Sequence, residues 1–387
     1  MLRSLFSSSC GNCFYDFSAN VYNEDNKMAS ETIVFLRRSL GAFIFFAVIF
    51  VFYNFVHSFH LLADTPSATF SSASLFPFFD DVPYQGSEEY KLERVLSNAA
   101  TKDKTVIITT LNEAWAKPDS IIDLFLQSFR IGHHTRRLLN HLVIVALDDK
   151  AFRRCQSLHH HCYALLTEGT DFSKEAFFMT PDYLKMMWRR IDFLRSVLEM
   201  GYNFVFTDAD VMWFRDPFPH FFPDADFQVA CDHFSGDSFT VHNKPNGGFN
   251  YVKSNNRSIE FYKFWYSSQE TYPGYHDQDV LNFIKHSPYI SEIGLSMRFL
   301  DTTYFGGFCE PSKDLNKVCT MHANCCFGIS SKLHDLKILL QDWRRFMSLP
   351  LSLKHSQVYF WRVPNNCSLD ALHPAESPLE SDDSEED

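Results

Sequence analysis

The chain has no G-x-G-x-x-G or G-x-x-x-x-G-K-S/T run and no internal repeat. Those absences exclude a fingerprinted dinucleotide or P-loop site and an array of repeated units. A basic surplus is missing too. Against 47 Asp and Glu stand 35 Lys and Arg, a formal net charge of −12. A nucleic-acid partner demands a basic footprint, so that class is set aside. Part of the charge is local. Residues 376–387 (ESPLESDDSEED) carry no apolar pattern and read as a disordered acidic tail. One stretch lacks Asp, Glu, Lys and Arg altogether: residues 39–59, SLGAFIFFAVIFVFYNFVHSF.

As a helix rising about 1.5 Å per residue, that stretch matches the hydrocarbon thickness of a bilayer. Arg37 and Arg38 precede it, and Asp64, Asp80 and Asp81 follow. The asymmetry puts the N-terminus in the cytoplasm. A cleaved signal peptide fits less well, because a long polar segment precedes the run and no small-residue cleavage site follows. The expected organisation is a cytoplasmic tail (1–38), a transmembrane signal anchor (39–59), a stem (60–100), a globular domain (101–350) and a C-terminal extension (351–387). Cys10 and Cys13 have C-x-x-C spacing but no βαβ context for a redox role. The other eight cysteines follow the anchor, an even number that suggests disulfides in an oxidising lumen. Asn256-Arg257-Ser258 and Asn366-Cys367-Ser368 are glycosylation sequons, which fit the same compartment.

With 45% hydrophobic and 16% aromatic residues, the chain can bury a large core. TVIITT (105–110), HLVIVAL (141–147), residues 162–166 and YNFVFT (202–207) read as strands. Between them, residues 120–132 have helical spacing, and a longer helix runs from Pro181 through Glu199 and stops at Gly201. This alternation predicts an α/β fold: a mostly parallel, Rossmann-like sheet with helices on both faces. Ligands of such sheets bind beyond the C-terminal strand ends. The polar residues there are Asn112 and Glu113, then Asp148 and Asp149, then Asp208 and Asp210.

FTDADVMWF (206–214) puts two carboxylates one residue apart at the end of an apolar run. In extended chain i and i+2 share a side, so Asp208 and Asp210 can face one hard cation, Mn2+ or Mg2+, with phosphate oxygens completing its shell. A pair of solvated turn acids is the bland alternative. Asn246-Gly247-Gly248 is either a turn or a close backbone approach to a ligand. His276-Asp277-Gln278-Asp279 is a helix start, a sugar-hydroxyl contact, or both. His322 is a structural histidine or a nitrogen ligand beside the two acids. A soft zinc site from Cys309, Cys319, His322, Cys325 and Cys326 is a rival, though its spacing matches no common pattern.

Together, blocks such as TLNEAWAKPDS, HLVIVALDDKA, FMTPDYLKMMWRRIDFL, FTDADVMWFRDPFP, NGGFNYVKSNNRSIEFYKFW, HDQDVLN and MHANCC resemble the plant nucleotide-diphospho-sugar transferases, glycosyltransferase family 77. The resemblance spans roughly residues 104–350. It implies a GT-A fold and a retaining, metal-dependent Golgi transferase. The donor would be a UDP-sugar, and a pentose or galactose would pass to a cell-wall glycan or glycoprotein. It assigns Asp208, Asp210 and His322 to the metal. Thr110, Asn112, Arg189 or Arg190, Asp208, Asn246 and Gly247 would contact the nucleotide-sugar. Asp277, Gln278 and Asp279 would line the reacting centre, with Asp277 or Asp279 a nucleophile if the reaction were a double displacement. His322 lacks the H-x-x-G-x-K context of some relatives. The resemblance further implies a single-pass type II protein of the Golgi membrane, with its catalytic domain in the lumen, assembling with other Golgi transferases. Two rivals stay open: a metal-dependent sugar-nucleotide hydrolase, and a non-catalytic Golgi scaffold on a transferase fold.

Overall fold

A computed structural model describes residues 88–176, 178–356 and 359–367. The anchor expected at 39–59, the tail before it and the acidic C-terminus lie outside these residues. Among the described residues no helix is long and apolar enough to cross a membrane.

The four apolar runs form β1 (Thr105–Leu111), β2 (Leu142–Ala146), β3 (Cys162–Ala164) and β4 (Asn203–Thr207). They pair in parallel in the order β3-β2-β1-β4. Their side chains alternate between two cores. Ile107, Ile144 and Val205 enter one, while Val106, Ile108, Val143, Val145, Phe204 and Phe206 enter the other. Burial on both faces is why these strands read as continuous apolar runs. Beyond β4 the sheet turns mixed. Strands β6 (Phe227–His233) and β7 (Lys244–Val252) follow, with β7 antiparallel to both β4 and β6, and β8 (Met297–Phe299) parallel to β6 at the far edge.

The helix between β3 and β4, Pro181–Glu199, matches its sequence reading end to end. Thr180 caps it by accepting from the Tyr183 N–H, Pro181 opens the first turn, and Gly201 (φ +83) lets the chain turn away. Its apolar face, with Trp188, Ile191, Leu194 and Leu198, buries against the sheet. Numbered in chain order, the helices are α1 (Glu88–Ala99), α2 (Glu113–Ala116), α3 (Ile121–Ile131), α4 (Asp149–Leu158), α5 (Pro181–Glu199), α6 (Asn256–Thr271), α7 (Asp277–Ile284), α8 (Pro288–Glu292), α9 (Ile329–Met347) and α10 (Leu351–Ser356).

Both expected domain boundaries shift outward. Within the span read as stem, α1 buries Leu92, Leu96 and Ala99 in the core. Within the span read as extension, Trp361 stacks on Phe214, and Cys367 is disulfide-bonded to Cys326. Asp335, on α9, accepts the backbone N–H groups of Asn365, Asn366 and Cys367. The helical spacing of Leu92, Leu96 and Ala99 is legible as a short helix, but nothing local says what it packs against.

Among the described residues the other two disulfides are Cys155–Cys162 and Cys309–Cys325. Cys231 and Cys319 are buried thiols. The zinc alternative therefore fails, because Cys309, Cys325 and Cys326 are consumed in disulfides. Asn256 is exposed on the first turn of α6, while the Ser258 hydroxyl is committed to the capping box with Asn255. Asn366 is exposed as well.

Candidate active site

The Asp208-Ala209-Asp210 turn closes β4 and opens β5 (Val211–Trp213). Strand β5 leaves the main sheet and pairs antiparallel with β10 (Thr320–His322), which pairs in parallel with β9 (Phe305–Gly307). This explains the aromatic run after the acids. Trp213 and Phe214 bury under α3 and α9, with Trp213 stacked on Phe129 and Phe214 on Trp343. The β5–β10 register sets His322 opposite Val211, and the Ala323 N–H donates to the Asp210 carbonyl. One small sheet thus carries His322 to the two acids.

His322 Nε2 lies 3.2 Å from Asp210 Oδ1 and 3.9 Å from Asp208 Oδ2. Ligating atoms of all three residues lie within 4.8 Å of one another. Asp210 Oδ1 is buried without an aligned hydrogen-bond donor. A native structure seldom leaves a buried carboxylate oxygen bare, and a hard divalent cation is the partner this N/O donor set fits. Gly248 forms the floor. A Cβ there would sit 2.4 Å from Asp208 Oδ2 and 2.5 Å from His322 Cε1. The glycine is needed for close approach, as one reading of Asn246-Gly247-Gly248 expected.

Two cations flank the acids. Arg190, buried on α5, donates from Nη1 to Asp208 Oδ1 at 2.9 Å and from Nη2 to Asp277 Oδ2. Its guanidinium also lies over the Phe206 ring. On the other side Lys332 Nζ, from the first turn of α9, lies 2.5 Å from Asp210 Oδ2. The two carboxylates are driven apart electrostatically. Burial pushes the Asp208 carboxyl up; Arg190 opposes this, and neighbouring Asp210 adds to the rise. Burial would raise Asp210 too, but Lys332 and His322 outweigh it and hold this carboxyl well below the usual range. Burial would lower His322, yet Asp210 and then Asp208 carry its imidazole upward.

Asn246, Gln278 and Asn324 converge on one further carboxylate, Asp232 at the end of β6. Asn246 Nδ2 and Asn324 Nδ2 donate to its Oδ1 at 2.8 and 2.7 Å, and Gln278 Nε2 donates to its Oδ2 at 2.7 Å. Gln278 Oε1 accepts the Gly247 N–H, and Asn246 Oδ1 accepts the Gly248 N–H. The amide side chains are thereby fixed around the glycine pair.

Beyond the acids opens a cleft of about 150 Å³, lined by Thr110, Asn112, Trp115, Tyr183, Arg190 and Lys332 among others. Asn112 lies at its wall, but its amide is occupied. Nδ2 donates to the Phe172 and Lys174 carbonyls, and Oδ1 caps α2.

The structure therefore joins Asp208, Asp210, His322, Arg190, Asn246, Gly247, Asp277 and Gln278 in one site, with Thr110 and Asn112 in its cleft. Arg189 is not brought in. It pairs with Asp192 at 2.9 Å and faces a groove against α1 and β3, whereas Arg190 reaches the acids. Asp279 turns outward and holds His276 Nδ1 at 2.5 Å. The block does start a helix, with His276 as N-cap residue lacking a side-chain cap and Asp277 as the first helical residue. Sequence reasoning missed Asp232, Asn324, Lys332, Tyr183 and Trp115. Only ACDH, a polar interruption at the end of a strand, could have flagged Asp232.

The model of the nucleotide-diphospho-sugar transferases matches residues 137–336 of this chain. An uncharacterized Arabidopsis thaliana protein, At4g15970, is 54% identical over 278 residues, covering 72% of this chain and 73% of that protein. The chain belongs to the nucleotide-diphospho-sugar transferase family. It is a glycosyltransferase. This transferase is also 27% identical over 148 residues to the arabinosyltransferase XEG113 of Arabidopsis thaliana, covering 38% of this chain and 21% of that protein. Among solved structures it is similar to a glycosyltransferase involved in glycosylation of the major capsid of PBCV-1. There the identity is 12% and the TM-score 0.36, over 60% of this chain and 98% of that one.

Proposed function

We propose that this transferase is a retaining enzyme that takes a pentose or galactose from a UDP-sugar, with manganese or magnesium held by Asp208, Asp210 and His322. The observation that carries this is the Asp208–Asp210–His322 constellation around the bare Asp210 Oδ1. A divalent cation there would offset the charge developing on the departing diphosphate. Lys332 and Arg190 stand on either side to pair with phosphate oxygens and keep the diphosphate in place. The nucleoside fits the cleft beside Trp115 and Tyr183. The sugar then lies over Gly247 and Gly248, within reach of Asn246, Asp232 and Gln278.

Asp277 acts as a positioning residue. It is 1% exposed, one oxygen is held by Arg190, and the other is sealed from solvent. Asp279 points to His276 instead. Neither carboxylate is presented as a nucleophile. This supports attack by the acceptor hydroxyl on the face that the diphosphate leaves, with the hydroxyl proton passing to the departing phosphate oxygen. The acceptor is a cell-wall glycan or glycoprotein. The setting is the Golgi lumen, with residues 39–59 as a type II anchor.

The test is a panel of UDP-sugars with manganese, scored for UDP release by the full-length chain with and without oligosaccharide acceptors. One sugar should be released faster than the others and passed to an acceptor. Failure to bind UDP with manganese would reassign the protein as a scaffold. UDP release that no acceptor accelerates or diverts would make it a hydrolase.

A further inference from the structure

On the far side of Asp232 from the cleft lies a second depression, about 380 Å³, that no assigned role uses. One wall is a single face of α7 and its continuation: Asp279, Asn282, Phe283 and His286, at i, i+3, i+4 and i+7. The other is the chain entering β7, with Val241, His242 and Lys244. Asp232 and Asp279 form the inner end, next to the place proposed for the donor sugar.

The outer end is cationic. Lys244, Lys285, His242 and His286 gather there, and none of them forms an ion pair among the described residues. Lys285 is buried, and its ammonium spends two of three donors on the Asn243 carbonyl and Asn282 Oδ1. Burial pushes the His286 imidazole down, with Lys285 and then His242 adding to the fall. Mutual repulsion of this kind is relieved by an anion. The rim is aromatic: Phe283 and Tyr275 are 41% and 46% exposed, with ring centroids 5.2 Å apart. Exposed ring faces beside polar groups suit the C–H faces of a sugar.

We propose that this groove binds the acceptor, and that the acceptor is an anionic glycan whose carboxylate pairs with Lys244 and the histidines at the outer end. From Asp279 to His286 the helix advances about 10 Å. The carboxylate thus belongs to a sugar beyond the one that is glycosylated. This inference rests on the donor site proposed above and names its substrate class.

The experiment uses the full-length chain and three probes: a short uronic-acid oligosaccharide, its carboxyl-reduced neutral counterpart, and oligoglutamate. Binding is read by calorimetry, and manganese-dependent UDP-sugar hydrolysis is read in parallel. The uronate should bind about tenfold tighter than its neutral counterpart, the worth of a charge-assisted hydrogen bond. Lys244→Glu should erase that difference, His286→Ala should reduce it, and both should leave donor hydrolysis unchanged. Equal affinity for the two oligosaccharides, absence of uronate binding, or tighter binding of oligoglutamate would overturn the assignment. Loss of donor hydrolysis in the unmodified chain, with uronate discrimination intact, would instead count against the proposed function.

Discussion

Lys332 Nζ donates to Asp210 Oδ2 at 2.5 Å, while His322 Nε2 lies 3.2 Å from Oδ1 without an aligned hydrogen bond. Asp210 thus has one oxygen on a fixed ammonium and the other free for the proposed metal. The two partners should be separable. Lys332→Ala should keep manganese binding and lower donor turnover by about tenfold to a hundredfold, because a phosphate partner is lost. Asp210→Asn should abolish manganese-dependent turnover and manganese binding together. Calorimetry with manganese, alongside UDP release, distinguishes the cases. Loss of manganese binding in Lys332→Ala would contradict this division of labour.

Gly248 offers a purely steric test. A methyl group there meets Asp208 Oδ2 at 2.4 Å and His322 Cε1 at 2.5 Å, whereas at Gly247 its nearest neighbours are 3.7 Å away. Gly248→Ala should move both ligands, weaken manganese affinity about tenfold or more, and cost about 1–3 kcal/mol of stability. Gly247→Ala should be near neutral in thermal unfolding. Equal tolerance of the two substitutions would show that the floor of the site can yield.

The contrast between Asp210 and Asp232 shows how far the site is legible from sequence. Asp210 follows an apolar run, and strand-end geometry predicts that it shares a site with Asp208. The helix Pro181–Glu199 was equally readable, since Thr180, Pro181 and Gly201 are strong local signals. Asp232 lies where β6 shifts register against β7, between Cys231 and His233, so no alternation marks its side. Its partners Asn246, Gln278 and Asn324 come from three separate segments, and only the tertiary fold brings them together. Lys332 is likewise invisible, because it reaches Asp210 from the first turn of α9, 122 residues further along the chain.

In the proposed metal site, His322 fixes the sign of the pH dependence. Burial opposes protonation, but Asp210 and Asp208 win, so the metal-free imidazole titrates above its ordinary value. A cation requires the neutral ring. Manganese affinity should then rise with pH to a plateau reached only above the usual histidine pKa, and fall on acidification below it. His322→Gln should bind manganese more weakly and flatten that dependence between pH 6 and 8. The check is a calorimetric pH series on both proteins; an unchanged profile in the variant would assign the titration to another group.

Arg190 bridges Asp208 and Asp277 from inside the core, where its contact with Asp277 compensates a charge that could not otherwise stay buried. Burial works against its guanidinium, but Asp277 and Asp208 prevail and hold it firmly protonated. Arg190→Met leaves Asp277, almost fully buried, without its partner. Removing one member of such a pair costs about 3–5 kcal/mol. Arg190→Lys keeps the charge but loses the planar fork that reaches two carboxylates at once. It should recover part of the stability and little of the activity. Urea unfolding measures the first effect and UDP release the second. A lysine variant with full turnover would mean that Asp277 needs only a positive charge nearby, and that the fork does not orient the donor diphosphate.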